Sequence, residues 1–251
     1  MTVEPPRFIA IASGKGGVGK TWLAITLAHA LVRAGRRVLL FDADLGLANI
    51  DVQLGLAPRE DLGSVVTGRL TLAQAIVRHE PTGLDLLAGR SGSGALSALS
   101  PPTLEAVLTQ LRRDTGDYEI VLLDLGAGID RSVRRIAAWA DHLLVVATDE
   151  PTSLTDAYAV LKLHAADRPG GDARIAINQA ASAASGEQTY KTLRQACATF
   201  LKCEPPLAGV IRHDLKVRDA IRRQTSLLNR HPNCAAATDV EALALSWVTA
   251  K

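Results

Sequence analysis

The chain has 251 residues, 47% of them hydrophobic, which is enough to bury one substantial core and predicts a single domain over residues 1–251. A formal net charge of +2 excludes bulk electrostatics as a pointer to a nucleic-acid or membrane partner. Three cysteines, Cys197, Cys203 and Cys234, stand at neither paired nor metal-ligand spacing, which excludes a disulfide framework and fits a reducing, cytoplasmic compartment.

Residues 1–7 hold an acid and two prolines, without the basic start and apolar stretch of an export signal. No run approaches the roughly 18 apolar residues that cross a bilayer. Strand-like runs recur at residues 8–12, 37–41, 84–87, 120–123, 142–147, 174–177 and 207–211, with helical stretches between them. Apolar residues at successive positions suit parallel strands covered on both faces, so the expected fold is a doubly wound, mostly parallel α/β sheet with helices on both sides. The helix expected over residues 21–34 is apolar almost all round and stops at Gly35, which predicts burial. Thr71-Leu72-Ala73-Gln74 reads as a capping box, and Ser100-Pro101 as an N-cap followed by proline at the first helical position. Residues 90–94, rich in Gly and Ser, predict a loop. Near the end, Val240, Leu243, Ala244 and Trp247 fall at helical spacing opposite Asp239, Glu241 and Ser246. With only Lys251 as a base, this favours a core-packing helix over a membrane-binding one.

Between the first strand and the first helix lies Ser13-Gly14-Lys15-Gly16-Gly17-Val18-Gly19-Lys20-Thr21, which satisfies G-x-x-x-x-G-K-[ST] in its strand, loop, helix context. Gly14, Gly16, Gly17 and Gly19 let main-chain N–H groups and the helix N-terminus face phosphate oxygens closely. Lys20 is placed to neutralise the β- and γ-phosphates and Thr21 to offer its hydroxyl to Mg2+, and Val18 and Trp22 are counted with the loop as nucleotide-binding positions. A glycine-rich turn closing an ordinary βα unit is the plainer alternative, but the coincidence of loop, Lys-Thr pair and flanking elements outweighs it.

The second strand runs into Asp42 and Asp44, at the sheet edge where ligands of open α/β folds collect. Alternation puts both on one side, able to share work around Mg2+ and an attacking water; taken alone, the same spacing also serves turn chemistry. The strand at 120–123 ends in Asp124, as a Walker B element does, which predicts a hold on a Mg2+-bound water, with Gly126 and Gly128 following as a flexible switch.

Lys15 is a second lysine that phosphate binding alone does not require. With it, residues 15–21 resemble the signature of the MinD/ParA family of deviant Walker P-loop ATPases, whose early lysine reaches the nucleotide of the partner subunit. The resemblance implies ATP and ADP as nucleotides with Mg2+, a homodimer closed around ATP, and weak or partner-stimulated hydrolysis. It gives Lys15, Lys20 and Asp44 catalytic roles, with Asp44 orienting the water and Asp42 supporting the metal through water. It also makes Asn178, at a strand end, the reader of adenine, though a capping or turn asparagine stays open there, as a solvated loop lysine does for Lys15.

Residues 44–51, 126–129, 150–158 and 217–224, with Pro232 and Asn233, resemble the FlhG/FleN branch of that family, the MinD-like regulators of flagellar number and placement, so nearly the whole chain is covered. This implies a protein partner such as the flagellar GTPase FlhF, the flagellar switch or a transcription regulator, and recruitment to the cell pole or inner membrane surface. The short N-terminal stretch has no room for the branch's activator helix, so activation by that route is not expected. Glu150 touches nucleotide or partner subunit by resemblance, or is a surface acid. Leu125 stands where the family has Ser or Thr and donates no hydrogen bond, which implies slower or differently coupled hydrolysis. Arg212 and His213 replace the usual proline in the loop over adenine.

The leading expectation is an ATP-driven spatial switch, with Arg131, Arg134 and Arg135 as a partner surface or a solvated helix face. A ParA-like ATPase would instead bind DNA through Lys216, Arg218, Arg222, Arg223 and Arg230. A nucleotide-regulated scaffold with negligible turnover is the third reading. A metal-insertion ATPase would want clustered cysteines, which are lacking.

Overall fold

A computed structural model describes residues 5–44, 46–57, 62–89 and 99–249. Successive apolar residues along β1 (Arg7–Ser13) divide between two cores: Phe8, Ala10 and Ala12 face one, Ile9 and Ile11 the other. A strand buried on both faces needs helices on both, and the chain supplies them in alternation.

After β1 come α1 (Lys20–Arg33), β2 (Val38–Ala43), α2 (Ile50–Leu54), α3 (Leu62–Val66), α4 (Leu72–Ala75), β3 (Ile76–His79) and β4 (Leu84–Leu87). The second half holds α5 (Pro101–Asp114), β5 (Ile120–Ala127), α6 (Arg131–Trp139), β6 (His142–Ala147), α7 (Pro151–Asp167), β7 (Asp172–Ala180) and α8 (Ala183–Phe200). It closes with β8 (Leu207–Arg212), α9 (Leu215–Arg222), α10 (Leu227–Arg230) and α11 (Ala235–Thr249). The strands order as β3-β4-β2-β5-β1-β6-β7-β8, all parallel except β3, which runs antiparallel to β4.

All seven strands expected from the sequence are present. The eighth, β3, is not legible in that reading: its four residues follow α4 without a break and pair back on β4 across a turn closed by Gly83 at φ +68°. β5 also runs further than expected, through Asp124 to Ala127, so Gly126 is strand rather than flexible switch and only Gly128, at φ +103°, lies beyond it. The loop expected at 90–94 falls outside the described residues, as does Lys251.

Helix α1 is buried nearly all round, with Leu23, Leu27 and Leu31 stacked at four-residue spacing. Its end is a Schellman turn: Gly35, at φ +81°, donates to Val32 O and Arg36 to Leu31 O, which satisfies carbonyls the helix leaves open. The capping box at Thr71 and the Ser100 cap before Pro101 form as expected. Val240, Leu243, Ala244 and Trp247 are buried on α11, which packs between α1 and β8, so its apolar face is core. Among the described residues no helix is long and apolar enough to cross a membrane.

Candidate nucleotide-binding site

The carboxyl ends of β1, β2 and β5 carry the loop and the three aspartates singled out above. Gly17 and Gly19, at φ +84° and +83°, turn the chain into α1. Nothing lies within 4 Å of where a Cβ on Gly16 or Gly17 would sit, so the space over the loop is open, while a Cβ on Gly14 would strike the backbone of Asp156 in α7. Val18 is buried beneath the loop. Three side chains fix the curve: Ser13 Oγ donates to Lys15 O at 3.0 Å, Asn178 Nδ2 to Val18 O at 2.8 Å and Gln179 Nε2 to Gly17 O at 3.3 Å. Gln179, at φ +58°, was not visible as a site residue in the sequence, because nothing local announces a glutamine in the left-handed region.

Lys20 and Asp124 form a buried ion pair, Nζ to Oδ1 at 2.7 Å, with side chains 7% and 1% exposed. The Thr21 hydroxyl shares that carboxylate, and burial pushes the Asp124 carboxyl above its ordinary range against the lowering by Lys20 and Thr21. Asp42 is the register partner of Asp124 across β2 and β5. Its Oδ2 accepts the N–H groups of Asn49 and Ile50 at 2.9 and 3.0 Å, and its Oδ1 that of Asp44 at 3.3 Å. Of the roughly four acceptor positions a carboxylate offers, that leaves about one for water. Burial pushes Asp42 up to about 7, with the charge of Asp124 adding to the rise and the backbone donors opposing it. Asp44, just past β2, accepts from Gly46 and Leu47 N–H at 3.2 and 2.9 Å. It lies against Gly126, where a Cβ would come 3.3 Å from its Oδ1. A groove of about 740 Å³ opens beside Asp44, between Leu47 and Arg131.

Three acids on adjacent strand ends with one buried ammonium make a site that favours further positive charge. Among the described residues no three His, Cys, Asp or Glu side chains close on one metal position. Mg2+ takes one or two protein oxygens with water and substrate phosphates, the donor set that Thr21 and Asp124 offer.

Lys15 points elsewhere. Its ammonium pairs with Glu150 Oε2 and donates to Thr152 Oγ1 at 3.1 Å, at the N-terminus of α7 of the same chain, and both partners of the ion pair are exposed. The geometry thus separates the two lysines of the loop, one committed to Asp124 and the other held at the surface.

Beyond the loop, a cavity of about 240 Å³ is lined by Trp22, Asn178, Arg212, His213, Val217 and Arg218, among others. Asn178 is buried; one N–H of its Nδ2 is committed to Val18 O, which leaves its carbonyl oxygen and the second N–H to turn to a base. Trp22 is buried with its indole N–H unpartnered among the described residues. Arg212 stands at the cavity edge, but its guanidinium is turned away, bidentate on Asp239 of α11 at 2.8 and 2.7 Å. His213 donates its backbone N–H to Ala180 O at 2.8 Å. Leu125 is fully buried in the core on the side of α5 to α8, so its side chain does not face the aspartates.

Open space over a strand-to-helix glycine loop, an acid-rich strand edge beside it and a cavity of about 240 Å³ next in line define a P-loop nucleotide-binding domain. Residues 9–227 match the CobQ/CobB/MinD/ParA nucleotide binding domain, and the chain belongs to that family, on its FleN branch. It is 36% identical over 243 residues to the antiactivator FleN of Pseudomonas aeruginosa, covering 97% of this chain and 86% of that one. To the flagellum site-determining protein YlxH of Helicobacter pylori it is 31% identical, covering 95% and 80%. The septum site-determining protein MinD of Pyrococcus horikoshii, solved with Mg-ADP, superposes with a TM-score of 0.79 at 25% identity over 98% of this chain and 99% of that one.

Proposed function

We propose that the chain is a MinD-like ATP switch that binds ATP with Mg2+, dimerises around it, hydrolyses it slowly and regulates the number or placement of a cellular structure, flagella being the structure that the names of its relatives indicate. The observation that carries this is the division of labour between two lysines on one glycine loop, Lys20 buried on Asp124 and Lys15 exposed on Glu150.

Main-chain N–H groups of residues 16–21 bind the β- and γ-phosphates, and Lys20 exchanges Asp124 for phosphate oxygen. Thr21 and Asp124 would hold Mg2+ and Asp42 would support it; the metal would supply neutralisation of phosphate charge. Asp44, facing Gly126, orients the attacking water. Lys15 leaves Glu150 and Thr152 to reach the second subunit, where a cation near the γ-phosphate acts electrostatically as an arginine finger does. Asn178 accepts from the adenine amine. Hydrolysis removes the contact that holds the dimer, and the partner surface goes with it. That surface serves a protein partner of the flagellar GTPase, flagellar switch or transcription-regulator kind, in the cytoplasm with recruitment to the pole or inner membrane surface.

The test is oligomeric state by light scattering with Mg-ATP. Wild type and Asp44→Ala are expected to dimerise, Asp44→Ala without turnover; Lys15→Ala is expected to bind nucleotide as a monomer. A Lys15→Ala protein that dimerises and turns over normally overturns the trans-lysine reading. Equal, negligible phosphate release by wild type and Asp44→Ala with dimerisation intact favours a scaffold.

A second reading, a DNA-associated positioning ATPase, draws on Lys216, Arg218, Arg222 and Arg223, exposed along α9, while Arg230 is paired with Asp219. ATP-dependent retention on DNA that weakens steeply with salt would favour it, and no retention removes it.

A further inference from the structure

Helix α2 is tied down at both ends, and the two ties lead to different parts of the site. At its start, Asp42 accepts the N–H groups of Asn49 and Ile50. Further along, Gln224 Nε2 donates to the carbonyl of the helix's middle residue, Val52, at 2.9 Å, from a position 172 residues on, and packs at the Gly55 that ends it. Gln224 sits just past α9 at φ +50°, in the left-handed region that a residue with a Cβ enters at a cost. It is met there by Gly55, itself at φ +66°, where a Cβ would come 3.2 Å from the Gln224 Cβ. A strained glutamine packed against a left-handed glycine makes a specific clasp between α9 and α2.

The other face of α9 gives Val217, Arg218 and Ile221 to the cavity beside Asn178. The path is therefore continuous: cavity wall, α9, Gln224, α2, Asp42, and across the sheet to Asp124. At only five residues α2 is too short to bend between its ties, and Ile50 and Leu54 are buried against the core that holds α1. Movement of α9 about a bound base thus reaches the N–H groups that Asp42 accepts, and with them the turn that carries Asp44.

We infer that Gln224 is a positioning residue that couples occupancy of the base cavity to the strand-end aspartates through α2. The inference rests on the nucleotide reading above. One exposed hydrogen bond of ordinary strength is enough to shift a two-state equilibrium about fivefold.

Hydrogen exchange tests this without depending on turnover. In wild type, Mg-ADP is expected to slow exchange at residues 14–21 and, by about fivefold, at residues 46–54; Mg-pyrophosphate, which has no base, is expected to protect 14–21 alone. In Gln224→Glu, of the same size but unable to donate, Mg-ADP should protect 14–21 as in wild type and add nothing at 46–54. Gln224→Asn, which tolerates the backbone conformation but is shorter by one methylene, should behave likewise. The inference is overturned if either variant keeps the wild-type ADP increment at 46–54, or if pyrophosphate produces that increment in wild type. A purely structural clasp would give faster exchange at 46–54 in the free variants with the ADP increment unchanged, and counts against it. Absence of protection at 14–21 by either ligand refutes the nucleotide reading itself, and the coupling with it.

Discussion

The phosphate end and the base end of the site are built in different ways. At the phosphate end every group stands on, or within a few residues of, a central strand: the glycine loop after β1, Asp42 within β2 and Asp44 just after it, Asp124 within β5. The base end is assembled late in the chain, from the end of β7, the β8 to α9 connection and a salt bridge to α11. The first is backed by a sheet buried on both faces and its key pair is nearly inaccessible. Around the buried Asn178 and Trp22, the second is closed by exposed or half-exposed contacts. The proposed function therefore assigns phosphate to the scaffold of the domain and the base to its periphery.

The sharpest way to break the contrast is at the phosphate end. Lys20→Ala leaves Asp124 buried without its cation, which is expected to cost about 3 kcal/mol of stability at neutral pH and to weaken Mg-ATP binding by more than about a hundredfold. Urea denaturation and calorimetric titration measure the two losses, and a stability change below about 1 kcal/mol would mean that the pair is not energetically buried.

A comparable effect is expected where the periphery grips α1. His29 of that helix meets Ser226, the residue before α10, at 2.6 Å, and burial foremost, with the charge of Arg33 and the neighbouring His79 adding, lowers its pKa to about 4. A histidine depressed on folding contributes stability that is fully present above its unfolded pKa of about 6.5 and is lost as pH falls toward the folded value. Its share is on the order of 3 kcal/mol between pH 6.5 and 4. Urea midpoints of wild type should fall over that window and those of His29→Gln should fall less; parallel pH profiles would sink the assignment.

At the base end the expected effects are smaller. Asn178→Ala removes the carbonyl offered to the base and a donor to the loop, and is expected to reduce the preference for ATP over GTP about tenfold, measured by competition. Arg212→Ala breaks a pair that is 39% exposed on the arginine side, so solvent screening keeps the loss of stability small, and nucleotide affinity is expected to change by less than about threefold. A large loss of affinity would show that Arg212 leaves Asp239 to touch nucleotide.

The same division explains what the sequence made legible. The glycine loop, Lys20, Thr21 and the strand-end aspartates are signalled locally, by an apolar run followed within a few residues by the group that acts. Leu84–Leu87 and His142–Ala147 were found to the residue because buried strands are continuous apolar runs. β3 escaped because four residues continuing from a capped helix carry no period of their own. Gln179 and Gln224 escaped because left-handed backbone in a glutamine is imposed by tertiary contacts. In sequence Arg212 falls in the expected loop over adenine with any contact to the base left open, and only Asp239, 27 residues on, shows where its guanidinium goes. The sequence sets Lys15 apart from Lys20, but its hold on Glu150 and Thr152 joins residues more than a hundred positions apart and has no local sign.

The reversed strand β3 bears on how molecules of this kind meet. It is only four residues long, and its Arg78 is exposed and paired with Asp85 of β4. So brief and charged a border is a poor template for strand addition from another molecule, which guards against fibrous stacking along that margin. The dimer proposed above would not draw on that border for its contacts.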